Sequence, residues 1–164
     1  MRLVAVQGDI VRQEVDAIVN AANERMRGGG GVDGAIHRAA GPELLAELVE
    51  RFPHGLPTGK AGWSSGHRLP ARYVIHVVGP VYDGTGGNRY QLESCYTNAL
   101  RVADELDLRT IAFPLISAGV YGWPKDDAIR CAVDSLSSVP TSVAEARIVA
   151  FDEATYGLVS TALG

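Results

Sequence analysis

Short apolar runs alternate along the chain with stretches whose apolar residues recur every three or four positions. The runs Leu3–Val6, Ala17–Val19, Tyr73–Val78, Thr110–Ile116 and Arg147–Phe151 predict buried strands, and Ser64–Arg68 is a further candidate. Tyr73–Val78 is the clearest, rich in β-branched residues and closed by Gly79-Pro80. Helical spacing predicts Asp33–Ala40, which Gly41-Pro42 ends, followed by Pro42–Phe52, Tyr90–Leu106, Pro124–Leu136 and Asp152–Leu163. Within Tyr90–Leu106 the residues Leu92, Tyr96, Ala99, Leu100 and Ala103 share one stripe, the face expected to meet a core. Strands alternating with helices predict an α/β fold, a three-layer α/β/α sandwich. No repeat, linker or low-complexity stretch interrupts the pattern, so residues 1–164 are expected to form a single domain.

Composition narrows the function classes. With 46% hydrophobic and 21% charged residues, the 164-residue chain has the balance of a soluble globular protein with a substantial core. A net charge of −4 argues against a general nucleic-acid binder, which needs a basic face. It leaves room for a small anion, because main-chain amides bind phosphate without net positive charge. No stretch approaches the roughly 18 apolar residues of a membrane span, and a strand pattern begins at the N-terminus with no signal peptide before it. Cys95 and Cys131 both fall in helical patterns and are expected to be reduced core residues, so a cytoplasmic location is the expectation.

Two glycine-rich turns carry the candidate chemistry. Asn20-Ala21-Ala22-Asn23 leads into Gly28-Gly29-Gly30-Gly31-Val32-Asp33-Gly34, and Ser117-Ala118-Gly119-Val120-Tyr121-Gly122 follows a later apolar run. Each lies between an apolar run and a helix pattern. Backbone without Cβ atoms can press its amides against an oxyanion, and the following helix N-terminus adds positive potential. Two such turns suit a ligand with two linked phosphates, and the carboxylate of Asp33 makes that ligand look like a substrate. Three or four amides on a diphosphate supply on the order of 6–8 kcal/mol before ordering costs. Micromolar binding needs about 8 kcal/mol.

Other motifs fail on context. Gly29, Gly31 and Gly34 satisfy G-x-G-x-x-G, but several residues separate them from Val19, and the position about 20 residues on, near Glu50, is helical rather than a strand end. Gly55–Ala61 resembles a P-loop with one residue too few and no Ser/Thr after Lys60. Gly62-Trp63-Ser64-Ser65-Gly66 matches the nucleophile elbow, yet the residues before it are loop-like and the last histidine after it with any reach, His76, sits inside a core strand. His37, His54, His67 and His76 lack metal-ligand spacing, and His37 and His76 read as structural. No metal and no cofactor are expected.

Gly8-Asp9-Ile10, Val15–Asn23, Gly28–His37, Leu69–His76, Val78-Gly79-Pro80 and Ser117–Gly122 together resemble the macrodomain, an ADP-ribose-binding family. The pattern Asn23-x6-Gly30-Gly31-Val32-Asp33 with Gly119-Val120-Tyr121-Gly122 is similar to its MacroD-type subclass. The resemblance covers nearly the whole chain in order. It implies a mixed central sheet and hydrolysis of ADP-ribose esters, both mono-ADP-ribose on acidic side chains and O-acetyl-ADP-ribose. It implies that Asp9 accepts from the adenine amino group, Ile10 packs beside it and Phe151 stacks on the ring. Gly30, Gly31 and Val32, with Ser117, Ala118, Gly119, Val120 and Tyr121, would wrap the diphosphate and distal ribose. Asn23 would hold a distal-ribose hydroxyl, and Asp33 would position or deprotonate the attacking water.

The chain departs from the common pattern at Ala118, where threonine is frequent, at Met26-Arg27, which replaces two leucines, and at Leu56, Trp63 and His67. These bear on preference and affinity. The expected partners are ADP-ribose and ADP-ribosylated proteins, with no general nucleic-acid binding, no membrane and a monomeric state. A reader that binds ADP-ribose without turnover, and an enzyme acting on ADP-ribose 1″-phosphate, share the same expected pocket.

Overall fold

The computed structural model describes residues 1–164. Six strands form one mixed sheet: β1 (Arg2–Gln7), β2 (Ala17–Ala22), β3 (Ala61–Ser65), β4 (Tyr73–Val78), β5 (Thr110–Phe113) and β6 (Glu145–Ala150). Their order is β1-β6-β5-β2-β4-β3, with every neighbouring pair parallel except β3, which runs antiparallel to β4 at one edge. Five helices cover the sheet: α1 (Gly31–Ala40), α2 (Pro42–Arg51), α3 (Arg89–Glu105), α4 (Lys125–Ser138) and α5 (Glu153–Leu163). None is long and apolar enough to cross a membrane.

The alternation of strand side chains sorts them into two cores. Ala17 and Val19 of β2, with Ile75 and Val77 of β4, face α3, α4 and α5. Ile18 and Ala22, with Val74 and Val78, face α1 and α2. This is the three-layer α/β/α sandwich expected from the alternating pattern. The stripe Leu92, Tyr96, Ala99, Leu100 and Ala103 on α3 is completely buried, and each large apolar side chain removed from water in this way contributes about 1.5–3 kcal/mol. Cys95 and Cys131 are free and buried, and burial pushes their thiols up to about 12 and about 11. Neither is a reactive thiolate near neutrality.

Several boundaries differ from the sequence expectation for local reasons. β2 continues through Asn20, Ala21 and Ala22, residues grouped above with the first turn, because it pairs in register with Tyr73–Val78 along its whole length. β5 stops at Phe113 instead of Ile116, where Pro114 has no amide to offer the ladder. The edge strand is Ala61–Ser65 instead of Ser64–Arg68, since the chain reverses through residues 66–72 to enter β4. β6 ends at Ala150, which leaves Phe151 beyond the sheet. α1 starts two residues early, at Gly31. A short 3-10 turn, Ile10–Arg12, was not expected; the Asp9 carboxylate caps it by accepting from the Val11 amide at 3.1 Å.

α1, after β2, packs on one face, whereas α4, after β5, packs on the other. β2 and β5 are adjacent, so their outgoing loops part at the carboxyl ends of the strands. Open α/β sheets form their ligand crevice at such a divergence.

Candidate functional site

A cavity of about 330 Å³ fills that crevice. Four segments line it: Ala21–Asn23 at the end of β2, Gly29–Asp33 leading into α1, Gly79 after β4, and the loop from Leu115 to Tyr121, of which Ala118 alone is turned away. Asp33 is its only carboxylate, and no lysine or arginine lines it.

The first loop presents unused main-chain donors. The Gly34 amide closes the first turn of α1 on the Gly30 carbonyl at 3.1 Å, so the amides of Gly31, Val32 and Asp33 precede the first helical bond and lack an intrahelical partner. Asn23 shapes the approach: its amide group donates to the Gly28 carbonyl, and its oxygen accepts from the Arg25 amide, each at 3.1 Å. Met26 buries its side chain in the core beneath α1 and α2. Arg27 ties the loop to the end of α2, donating to the carbonyls of Leu48, Phe52 and Pro53 as well as Arg25 and Met26. A guanidinium at the negative end of a helix is favourable, and this is the structural use of the Met26-Arg27 departure. The Trp63 and His67 departures are used at the sheet edge, where Trp63 stacks under Arg51 and His67 pairs with Glu47 at 2.8 Å.

The second loop is held from behind. The Ser117 hydroxyl donates to the Pro80 carbonyl at 2.7 Å, the Trp123 amide to the Ser117 carbonyl at 2.9 Å, and the Tyr82 amide to the Tyr121 carbonyl at 2.8 Å. Trp123 packs edge-on to Tyr82 and donates its indole N–H to Asp127, which Arg89 also engages. The indole bond foremost, with the Arg89 guanidinium, holds the Asp127 carboxyl below the usual carboxylate range. That contribution is present above the ordinary carboxylate pKa and is lost as pH falls through the lowered one. A Cβ on Gly79 would sit 2.5 Å from the Ser117 hydroxyl and 2.7 Å from the Ile116 side chain, so only glycine lets the loop approach β4 this closely. The amides of Gly119, Val120 and Tyr121 make no hydrogen bond within the protein. The Val120 side chain, 99% exposed, stands at the cavity mouth.

Asp33 lies between the two loops, 5% exposed. Its Oδ1 accepts from the Asn20 amide group at 2.8 Å, while Oδ2 takes no hydrogen bond from the protein. His37, one turn along α1, brings Nε2 to 3.4 Å from Oδ1 without forming a hydrogen bond.

The structure thus brings together nine residues singled out in the sequence: Asn23, Gly30, Gly31, Val32, Asp33, Ser117, Gly119, Val120 and Tyr121. Ala118 packs towards the α3–α4 core instead. Asp9, Ile10 and Phe151 also lie outside the lining. They share its edge of the sheet, because Gln7 pairs with Ala150 and places Asp9 and Phe151 just past the ends of neighbouring strands. Phe151 is 80% exposed.

Gly79, Leu115 and Ile116 were not anticipated in the lining. The first read as a strand terminator and the other two as strand. The Gly62–Gly66 motif places the Ser64 hydroxyl 2.8 Å from His76 Nε2, but both residues are wholly buried and outside the cavity, within strands. No substrate can reach that hydroxyl, so it is not a nucleophile.

The family model that matches the chain is the Macro domain, over residues 19–132. A macro domain-containing protein of Streptomyces coelicolor is 55% identical over 163 residues, covering 97% of this chain and 96% of the relative. The protein named ADP-ribose glycohydrolase MACROD2 of Xenopus laevis is 53% identical over 132 residues, covering 79% of this chain and 31% of the relative. A solved mutant of the Oceanobacillus iheyensis macrodomain with ADPR superimposes with a TM-score of 0.91 at 40% identity, covering 97% of this chain and 90% of the other.

Proposed function

The chain belongs to the macrodomain family, and from that premise we propose that it binds ADP-ribose in the crevice between β2 and β5 and hydrolyses ADP-ribosyl esters. The observation that carries the hydrolase half is Asp33, one carboxylate held between two loops of unpaired amides. A module that only reads ADP-ribose has no need of an anion beside the sugar.

In this reading the amides of Gly31 and Val32 and those of Gly119–Tyr121 take the diphosphate, where charge-assisted bonds contribute about 1.5–3 kcal/mol each. The adenine lies toward the β1–β6 side, with its amino group on Asp9, Ile10 beside it and Phe151 over the ring. Base–aromatic stacking adds about 1–3 kcal/mol. The distal ribose then falls beside Asn23 and Asp33. Asp33 Oδ2 is free to accept a proton of a water aimed at the ester and to balance positive charge developing on the sugar. Water adds, the ester bond breaks, and ADP-ribose and a carboxylic acid leave. The ADPR named with the solved Oceanobacillus iheyensis relative and the name of the Xenopus relative support this reading.

The test is direct. The protein is incubated with a target carrying glutamate-linked mono-ADP-ribose and, separately, with O-acetyl-ADP-ribose. Release of ADP-ribose, with acetate in the second case, is expected. Tight binding without release from either substrate would make the protein a reader, and phosphate release from ADP-ribose 1″-phosphate alone would make it a phosphatase.

A further inference from the structure

Behind Asp33 runs a continuous line of buried hydrogen bonds that the proposed chemistry has not used. Asn20 on β2 sits opposite His76 on β4 in the parallel register, and Ser64 on the neighbouring β3, opposite Val74, reaches His76 diagonally. All three are wholly buried. The Asn20 amide nitrogen is 2.8 Å from Asp33 Oδ1 and 3.1 Å from His76 Nδ1. His76 Nε2 is 2.8 Å from the Ser64 hydroxyl, which itself donates to the Ser65 carbonyl at 3.2 Å.

Ser64 Oγ lies within reach of both the Ser65 carbonyl and His76 Nε2, so its one hydrogen selects the direction of donation. With that hydrogen on the carbonyl, the Ser64 oxygen accepts from His76 Nε2–H. Nδ1 is then a bare lone pair, and it accepts from Asn20. The second hydrogen of the same amide group goes to Asp33. Turning the amide over would press its oxygen against the carboxylate and leave two acceptors without a donor. The observed orientation accepts a different cost: Asn20 Oδ1 is buried with no partner. Burial also holds His76 neutral, lowering it to about 3, so the ring cannot donate from both nitrogens near neutrality.

We propose that Ser64, His76 and Asn20 are positioning residues for hydrolysis, a relay whose direction is set by the Ser64 hydroxyl and whose end fixes the plane of the Asp33 carboxylate, leaving Oδ2 for the water. This rests on the reading of Asp33 as the acting group. The other titratable neighbour of Asp33 is His37 on its own helix, and no lysine or arginine pairs with it.

Three measurements test it. In the intact protein, ¹⁵N NMR of His76 should show the Nε2–H tautomer, unchanged from pH 5 to pH 8. The opposite tautomer, or a ring that titrates in that range, overturns the proposal. Ser64→Ala removes only a hydroxyl, remote from the ligand. It should lower kcat about 3–10-fold and admit the second tautomer, with KM and ADP-ribose affinity unchanged. Wild-type kcat with a mixed tautomer population overturns it. Asn20→Asp sets two carboxylates side by side, which raises the pKa at which the pair takes up its first proton. The acidic limb of its kcat–pH profile should move up by at least one unit, with a matching shift in the ¹³C titration of the carboxyl pair. A uniform loss at every pH, which a purely structural role would give, overturns it. If Asn20→Asp does not fold, the wild-type tautomer and Ser64→Ala decide. The NMR readouts need no turnover, so a relay present in a protein without hydrolase activity would fault the reading of Asp33 and not the geometry.

Discussion

Replacing Asp33 by alanine is expected to lower kcat for ADP-ribosyl ester hydrolysis by about 10²–10⁴-fold, the usual contribution of one positioned acid or base, while ADP-ribose still binds. The two effects separate because the cavity holds two chemistries in different atoms. The unpaired amides that suit a diphosphate belong to the backbone of the two loops. The single carboxylate belongs to a side chain. Alanine also strands the Asn20 amide hydrogen that now reaches Asp33 Oδ1, and a buried unpaired donor costs about 1–3 kcal/mol of stability. Asp33→Asn avoids that loss, since its amide oxygen still accepts from Asn20 while the charge is gone. Both variants should lose turnover, and the asparagine variant should melt close to the parent. Single-turnover rates with calorimetry of ADP-ribose binding check this. Hydrolysis at the parent rate by Asp33→Asn would exclude the carboxylate as the acting group.

The second large effect is expected at Gly31. A Cβ built there meets no atom within 4 Å, so a side chain has room at a position that lines the cavity. Gly31→Glu would place a carboxylate where the diphosphate is proposed to lie. Like charges brought together across a binding surface cost several kcal/mol, so a loss of ADP-ribose affinity of at least about 100-fold is expected. Gly31 also has a φ of +56°, which any side chain strains, and Gly31→Ala isolates that strain. The alanine variant should lose much less affinity than the glutamate one. Equal losses in the two would assign the effect to backbone strain, and an unimpaired Gly31→Glu would remove the first loop from the binding site.

Local chemistry made much of this fold legible in the sequence. The α3 stripe from Leu92 to Ala103 is a periodic signal that needs no partner to read, and it is buried as its spacing requires. Asp33, at the mouth of a glycine loop and the start of a helix, is likewise a local signature. What escaped depends on register between distant strands. Asn20 and His76 are 56 residues apart and meet only because β2 and β4 align residue for residue. Ser64 meets His76 because β3 turns back antiparallel. In sequence Asn20 looked like part of a turn, His76 like a lone core histidine and Ser64 like a failed nucleophile, and no short pattern joins them. Asp9 and Phe151 are neighbours for the same reason, through the β1–β6 pairing. Gly79 read as the end of a strand, although its larger role is to let the Ser117 loop pass within a distance no Cβ tolerates.

A crystal structure of the protein with ADP-ribose tests the central claim most directly. The diphosphate should lie against the amides of residues 31–32 and 119–121, with the distal ribose beside Asp33 Oδ2 and the adenine toward Asp9 and Phe151. A nucleotide bound elsewhere, or a ribose turned away from the Asp33 carboxylate, would contradict it.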